Sequence, residues 1–203
     1  MNRQEHWNHV YTTKSVTEVS WYEREPEPSL TLIRRWLKVP SRIIDIGGGA
    51  SVLVDRLVSA GYQLTVLDIS SKALEHSQQR LGDQAVQVTW ITADITTIDP
   101  PGEFDLWHDR AVFHFLTDHT ERQTYVSLAE QTVRPGGLLI LGVFADDGPT
   151  RCSGLEVCRY SEESLSAEFS RSFRIVEVHP HRHLTPAQKD QSFIYAVFQR
   201  NSC

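Results

Sequence analysis

Ile43-Ile44-Asp45-Ile46-Gly47-Gly48-Gly49-Ala50 is an apolar run that carries one acid and opens into three glycines. Arg42 to Ile46 reads as a strand, and the loop after it turns tightly with no Cβ in a ligand's way. Beyond the loop, Leu53, Val54, Leu57 and Val58 recur at helical spacing and stop at Gly61, a residue suited to the left-handed conformation at a helix end. Strand, glycine loop and helix in this order present free N–H groups and a positive helix end to an anionic group. In an open parallel sheet, ligands bind at the carboxyl end of such a strand.

The same alternation continues outward. Gln63 to Leu67, Val86 to Ile91, Phe104 to His108 and Leu138 to Phe144 read as further strands with helical patterns between them. One helix runs from about Ser71 to Leu81 and stops at Gly82. Another opens on Thr120-Glu121-Arg122-Gln123, read as a capping box, and ends before Pro135-Gly136-Gly137. After a helix opened by Ser161, Phe173 to His179 and Ser192 to Arg200 read as two strands joined by a loop from Pro180 to Pro186. So short a connection favours an antiparallel pair. The expected fold class is α/β, a Rossmann-like, mostly parallel sheet with helices on both faces. Ser29 to Lys38 reads as an amphipathic helix, preceded by an aromatic-rich stretch with Trp7, Tyr11, Trp21 and Tyr22.

With 203 residues, 40% of them hydrophobic and 23% charged, the chain fits one globular domain, residues 1–28 forming an N-terminal segment and 29–203 the core. The formal charge of −6 and the lack of a Lys/Arg run argue against a nucleic-acid face. No apolar stretch reaches the length of a membrane span, and the polar start Met1-Asn2-Arg3-Gln4-Glu5-His6 leads into no signal-peptide core. A cytoplasmic monomer or homodimer without membrane contact is therefore expected. Cys152, Cys158 and Cys203 are odd in number and read as free thiols.

Two acids sharpen the ligand site. Asp68 closes the second strand, where a carboxylate takes a ribose hydroxyl pair. Asp94 follows the third strand with Ile95 beside it, placed to receive an adenine amine. A dinucleotide site is the competing reading, weakened because Val52 stands where the third glycine of a pyrophosphate loop belongs.

Asp45-Ile46-Gly47-Gly48-Gly49, Val66-Leu67-Asp68-Ile69-Ser70, Ala93-Asp94-Ile95 and Arg134-Pro135-Gly136-Gly137-Leu138 together resemble the successive motifs of the class I S-adenosylmethionine-dependent methyltransferases. The resemblance covers roughly residues 29 to 200. It implies a seven-stranded sheet with an antiparallel last strand, and S-adenosylmethionine as cofactor with S-adenosylhomocysteine as product. It also implies that Gly47 and Gly49 line the methionine part, with Asp45 orienting the loop. Asp68 would hold the ribose, Ile69 would pack on adenine, and Asp94 would bind its amine. The aromatic N-terminus is similar to that of small type-11/12-like members, including relatives of the citrate synthase-lysine methyltransferases, where it folds over the cofactor as a lid. A lid is expected for Trp21 and Tyr22, with Trp21 at the cofactor and Tyr22 at the substrate, and packing for Trp7.

Methyl transfer asks for an in-line, deprotonated nucleophile. His108, Asp109 and His114, after the fourth strand, are the candidates for a general base or substrate contact, with Arg110 beside them. The alternative is that His108 and Phe113 pack while Asp109 caps a short helix. Amino-methylating enzymes of DNA or glutamine carry Asn/Asp-Pro-Pro-Tyr/Phe where this chain has His108-Asp109-Arg110-Ala111, which speaks against those acceptors. The expected acceptor is a small molecule. A protein lysine is one alternative; a thiol or metalloid near the Cys152 loop is another. A non-catalytic cofactor-binding subunit and a nicotinamide dehydrogenase are the remaining rivals. His179, His181 and His183 alternate along one strand face, but Pro180 interrupts them and no Cys or carboxylate completes a metal set, so no metal is expected.

Overall fold

The computed structural model describes residues 2–202. Its strands are β1 (Arg42–Ile46), β2 (Gln63–Asp68), β3 (Val88–Thr92), β4 (Phe104–Arg110), β5 (Val133–Phe144), the short pair β6 (Arg151–Cys152) and β7 (Leu155–Glu156), β8 (Phe173–Leu184) and β9 (Asp190–Arg200). Seven of them form one sheet in the order β3-β2-β1-β4-β5-β9-β8. β1 to β5 pair in parallel, while β9 runs antiparallel to both β5 and β8. The last strand in the chain is thus the antiparallel one, as expected.

Strand alternation divides the core into two layers. Ile43, Val66, Leu106 and Ile140 pack under α2 (Ser29–Trp36), α3 (Leu53–Ser59) and α4 (Ser71–Leu81), which contribute Ile33, Leu57 and Leu74. Ile44, Trp107, Leu139 and Phe198 face α5 (His119–Thr132) and α6 (Glu162–Phe169), with Tyr125, Leu128 and Phe169. The helices therefore cover both faces. Among the described residues, no helix is long and apolar enough to cross a membrane.

Four local expectations need correction. The third strand starts at Val88, because residues Gly82–Gln87 form a 3₁₀ turn and Val86 is 89% exposed. α5 is capped by Asp118, whose carboxylate accepts the N–H groups of Thr120 and Glu121, so Thr120 lies inside the helix. Pro180 sits within β8, opposite Ile194, and the chain turns only at Thr185 to Lys189. β8 is an edge strand, where a missing N–H breaks no ladder. The Cys152 loop is the β6–β7 hairpin, its tip Ser153-Gly154 having positive φ at both residues (50° and 80°), the backbone a tight two-residue turn requires.

The N-terminus is also more ordered than its composition suggests. α1 (Arg3–Thr13) opens with a reciprocal cap in which the Asn2 side chain accepts the Glu5 N–H and Glu5 accepts the Asn2 N–H. It packs along α4, and Ser70 at the start of α4 donates to Asn8 at 2.8 Å.

Candidate functional site

The carboxyl ends of the parallel strands open into a cleft beneath the N-terminal segment. Strand order gives it two halves. Gly47, Asp68, Ile69, Asp94 and Ile95 line the side built on β1, β2 and β3; Phe144, Gln191 and Phe193 line the side built on β5 and β9, joined by Cys152. Strands ~4.8 Å apart put β9 roughly 14 Å across the sheet from β1. Arg110, Ala111 and Val112, at the end of β4, stand between the halves. A narrower extension runs past Gly48, Ala50 and Ser51 and is bounded by Ser29, Asp45, His108 and Tyr22.

The glycine loop has little freedom to change. Gly47 has φ +67°, and a Cβ there would fall 2.1 Å from a Val112 methyl; a Cβ on Gly48 would lie 2.4 Å from an Asp45 oxygen. Asp45 is buried beneath the loop, and His108 Nδ1 meets its carboxylate at 2.6 Å while Nε2 meets the Ser29 hydroxyl at 2.9 Å. With Nδ1–H donating to the carboxylate, Nε2 of a neutral ring accepts from Ser29.

At the end of β2, Asp68 is 6% exposed and accepts the Ser70 N–H at 2.8 Å. Burial pushes its pKa up to about 7. Asp94 accepts the Thr96 N–H and hydroxyl at one oxygen (2.9 and 2.7 Å) and Arg3 at the other (3.3 Å). Arg3 also reaches Glu121, and Gln4 donates to the Ile69 carbonyl, so α1 crosses over this half.

Beyond the contacts of α1, the roof is fastened at the end of β4. Arg110 donates to the Tyr195 phenol (2.9 Å), the Trp21 carbonyl (2.9 Å) and Glu23 (2.8 Å). Glu23 in turn faces His183 at 3.4 Å and His181 at 4.0 Å, and His183 donates through Nε2 to the Ser20 carbonyl at 2.7 Å. Two of the three alternating histidines therefore clasp the N-terminal segment. Among the described residues, no group of three or more His, Cys, Asp or Glu side chains is placed to hold a metal. Trp7 lines the cleft, edge-on to Trp21 and Phe115, with ring centroids 5.6 and 5.1 Å away. The expectation that it only packs is corrected: α1 turns it inward.

Residues 43–137 match the family described as Methyltransferase domain. Nodulation protein S of Rhizobium tropici is 23% identical over 125 residues, covering 62% of this chain and 52% of that protein. The chain carries, over residues 43–137, the pattern of a methyltransferase domain. Its fold is shared by the N-methyltransferase NodS from Bradyrhizobium japonicum WM9 in complex with S-adenosyl-L-homocysteine, at a TM-score of 0.73, 17% identity, and coverage of 98% of this chain and 99% of that one. The 1,6-didemethyltoxoflavin-N1-methyltransferase of Burkholderia thailandensis, with bound 1,6-didemethyltoxoflavin and S-adenosylhomocysteine, gives 0.70 at 18% identity over 98% and 84%. The chain spans about half the length of the nodulation proteins it matches.

In this methyltransferase domain the candidates for proton chemistry do not converge. His108 borders the glycine-loop extension, but it is 2% exposed and both its nitrogens are engaged. Asp109, one residue on, points to the opposite face of β4. Its carboxylate accepts the N–H groups of Val112 and Phe113 and the Tyr125 hydroxyl (2.9, 3.0 and 2.5 Å). It caps a short helical turn, outside the cleft lining. His114 is buried outside that lining too, stacked on Phe144 with Nδ1 accepting the Phe144 N–H. Burial, with a smaller contribution from Arg110, drives its pKa down to about 3. Asp109 and His114 are thus corrected as base candidates, since alternation along β4 and dense aromatic packing hold them away. Tyr22 lies at the glycine-loop extension rather than with Cys152. Glu23, Gln191 and Phe193 carry no sequence signal and reach the cleft or its extension only through the fold.

Proposed function

We propose that the protein transfers a methyl group from S-adenosylmethionine to a small-molecule nucleophile. The supporting observation is a single roofed cleft with an acid-tipped half and an aromatic half meeting at the end of β4. The residues of the first half fit the cofactor: Gly47 has no room for a Cβ, and Asp68 presents a carboxylate at a strand end. Gly47 and Gly49, on the loop held by Asp45, would take the methionine part, Asp68 the ribose hydroxyls, and Ile69, Asp94 and Ile95 the adenine. Trp21 would close over the join, where aromatic faces favour a positive sulfonium. When bound, the cofactor supplies an electrophilic methyl.

Positioning and exclusion of water are the protein's contribution. The aromatic half would hold the acceptor against that methyl; the acceptor would gain the methyl, S-adenosylhomocysteine would leave, and the proton lost by the acceptor would pass to solvent. Among the described residues, the aromatic half is lined by no carboxylate or imidazole, so the acceptor must bring its lone pair ready. A protein lysine fits less well, because its ammonium would need a base and would approach Arg110. A thiol or metalloid held by Cys152 also fits less well: burial pushes that thiol's pKa up, and among the described residues no second thiol lines the cleft beside it.

Calorimetry with S-adenosylhomocysteine should show 1:1 binding, and labelled S-adenosylmethionine should mark pooled small nucleophiles ahead of lysate proteins. Label confined to protein lysine would replace the acceptor assignment. Absence of S-adenosylhomocysteine binding would remove the proposal altogether.

A further inference from the structure

The aromatic half contains a polar side chain with unused hydrogen-bonding capacity. Gln191, the second residue of β9, is 9% exposed and lines the cleft, and its amide has no hydrogen-bond partner among the described residues. Because the amide opens on the cleft, solvent or a ligand must supply its hydrogen bonds. The cleft walls on its side offer no obvious relief. Phe144 and Phe193 stand with ring centroids 4.7 Å apart, and the Arg110 guanidinium lies over the Phe193 ring at 5.1 Å while bonded to Tyr195, Trp21 and Glu23. The Cys152 thiol faces the Ser20 hydroxyl at 3.9 Å.

These surroundings constrain a ligand in three ways. Walls of Trp7, Phe115, Phe144 and Phe193 favour a flat aromatic body, whose ring edges and faces they can meet. Arg110 is already neutralised by Glu23, so a charged ligand would be buried without a counter-charge. A primary amide offers an N–H donor and a carbonyl acceptor side by side, which a ring N–H next to a carbonyl matches with two parallel hydrogen bonds.

We infer that Gln191 reads the methyl acceptor, and that this acceptor is a flat, uncharged aromatic or heteroaromatic molecule with a lactam-like edge. The inference rests on the methyltransferase reading of the same cleft. Gln191 is a specificity residue that grips the acceptor away from its nucleophilic atom.

The test uses the full chain saturated with S-adenosylhomocysteine, titrated by calorimetry with 2-quinolone and with naphthalene, its hydrocarbon counterpart without the lactam. Gln191→Met keeps the length and flexibility of the side chain and removes the amide. It should weaken 2-quinolone about thirtyfold, the worth of two net hydrogen bonds. Naphthalene and S-adenosylhomocysteine should stay within twofold. Equal effects on both rings, no effect on either, or no binding of either ring to the wild-type chain would overturn the inference. A water-filled amide predicts the second of these. Failure of S-adenosylhomocysteine itself to bind is a separate result that removes the underlying reading.

Discussion

The β1–β2–β3 end of the cleft and its β5–β9 end stand on one sheet but are made in different ways. At the first, each ligand-facing group sits at or just beyond its own strand: Gly47 after β1, Asp68 at the end of β2, Asp94 after β3. At the second, Trp7, Phe115, Phe144 and Cys152, with Gln191 and Phe193 of β9, come from five separate stretches of chain. A strand end with its following loop is a local device, so the first end can stay constant while the second is rebuilt by changes far apart in sequence. Such a division suits an enzyme class that keeps one cofactor and varies its acceptor.

Arg110 joins the two ends, and removing it should have the largest effect. Arg110→Met deletes three hydrogen bonds and strands Glu23, whose side chain is 10% exposed, without its strong partner. Denaturant unfolding should show a loss of about 3 kcal/mol, with faster proteolysis between residues 14 and 28. A change under about 1 kcal/mol would mean that the roof is held elsewhere. Next comes Asp68→Ala, which should weaken S-adenosylhomocysteine about a hundredfold through loss of charge-assisted hydrogen bonds. Near-normal affinity would erase the distinction between the two ends.

The pH dependence isolates the same carboxylate. Burial raises Asp68 from 3.8 to about 7, and ribose hydroxyls donate to the ionised form. Affinity for S-adenosylhomocysteine should therefore climb as pH rises from 6 to 8, by about tenfold at most per unit below the pKa. In the ligand-free protein the sign reverses. Folding takes up a proton here, so this contribution to stability is complete below the unfolded value of 3.8 and is lost as pH rises through about 7. Thermal melts from pH 5 to 8 should fall for the wild type relative to Asp68→Asn; parallel curves would contradict the buried carboxylate.

Smaller effects belong to the aromatic end. Phe193→Leu removes the ring under Arg110 and beside Phe144, and should lower acceptor turnover about fivefold, as expected for about 1 kcal/mol of aromatic contact. S-adenosylhomocysteine affinity should stay within twofold, since no part of the first end is touched. Cys152→Ala should leave turnover within twofold. A large loss there would restore a thiol-based acceptor site.

Legibility followed the range of the interactions. Arg42 to Gly49 could be read because strand, turn and helix start each depend on neighbouring residues. Pro180 misled because its effect depends on whether the strand is an edge, a property of the whole sheet. α1 was missed because its buried residues, Val10 and Tyr11, do not form an apolar stripe, although Asn2 and Glu5 already spelled its cap. His108 and Asp109 looked equivalent as neighbours, and only the pleat of β4 sends one under the glycine loop and the other toward Tyr125.

The amino-acid sequence by itself determined the α/β sheet, the glycine loop and the acids at the strand ends, because backbone geometry and strand-end chemistry act over a few residues. Only the tertiary structure decided that Arg110 fastens Trp21 and Glu23, that His181 and His183 face Glu23, and that Gln191 stands unpaired among aromatic rings. Those contacts join residues up to 163 positions apart, as in His183 to Ser20. Their partners are chosen by where the strands lie in the sheet, which no local pattern encodes.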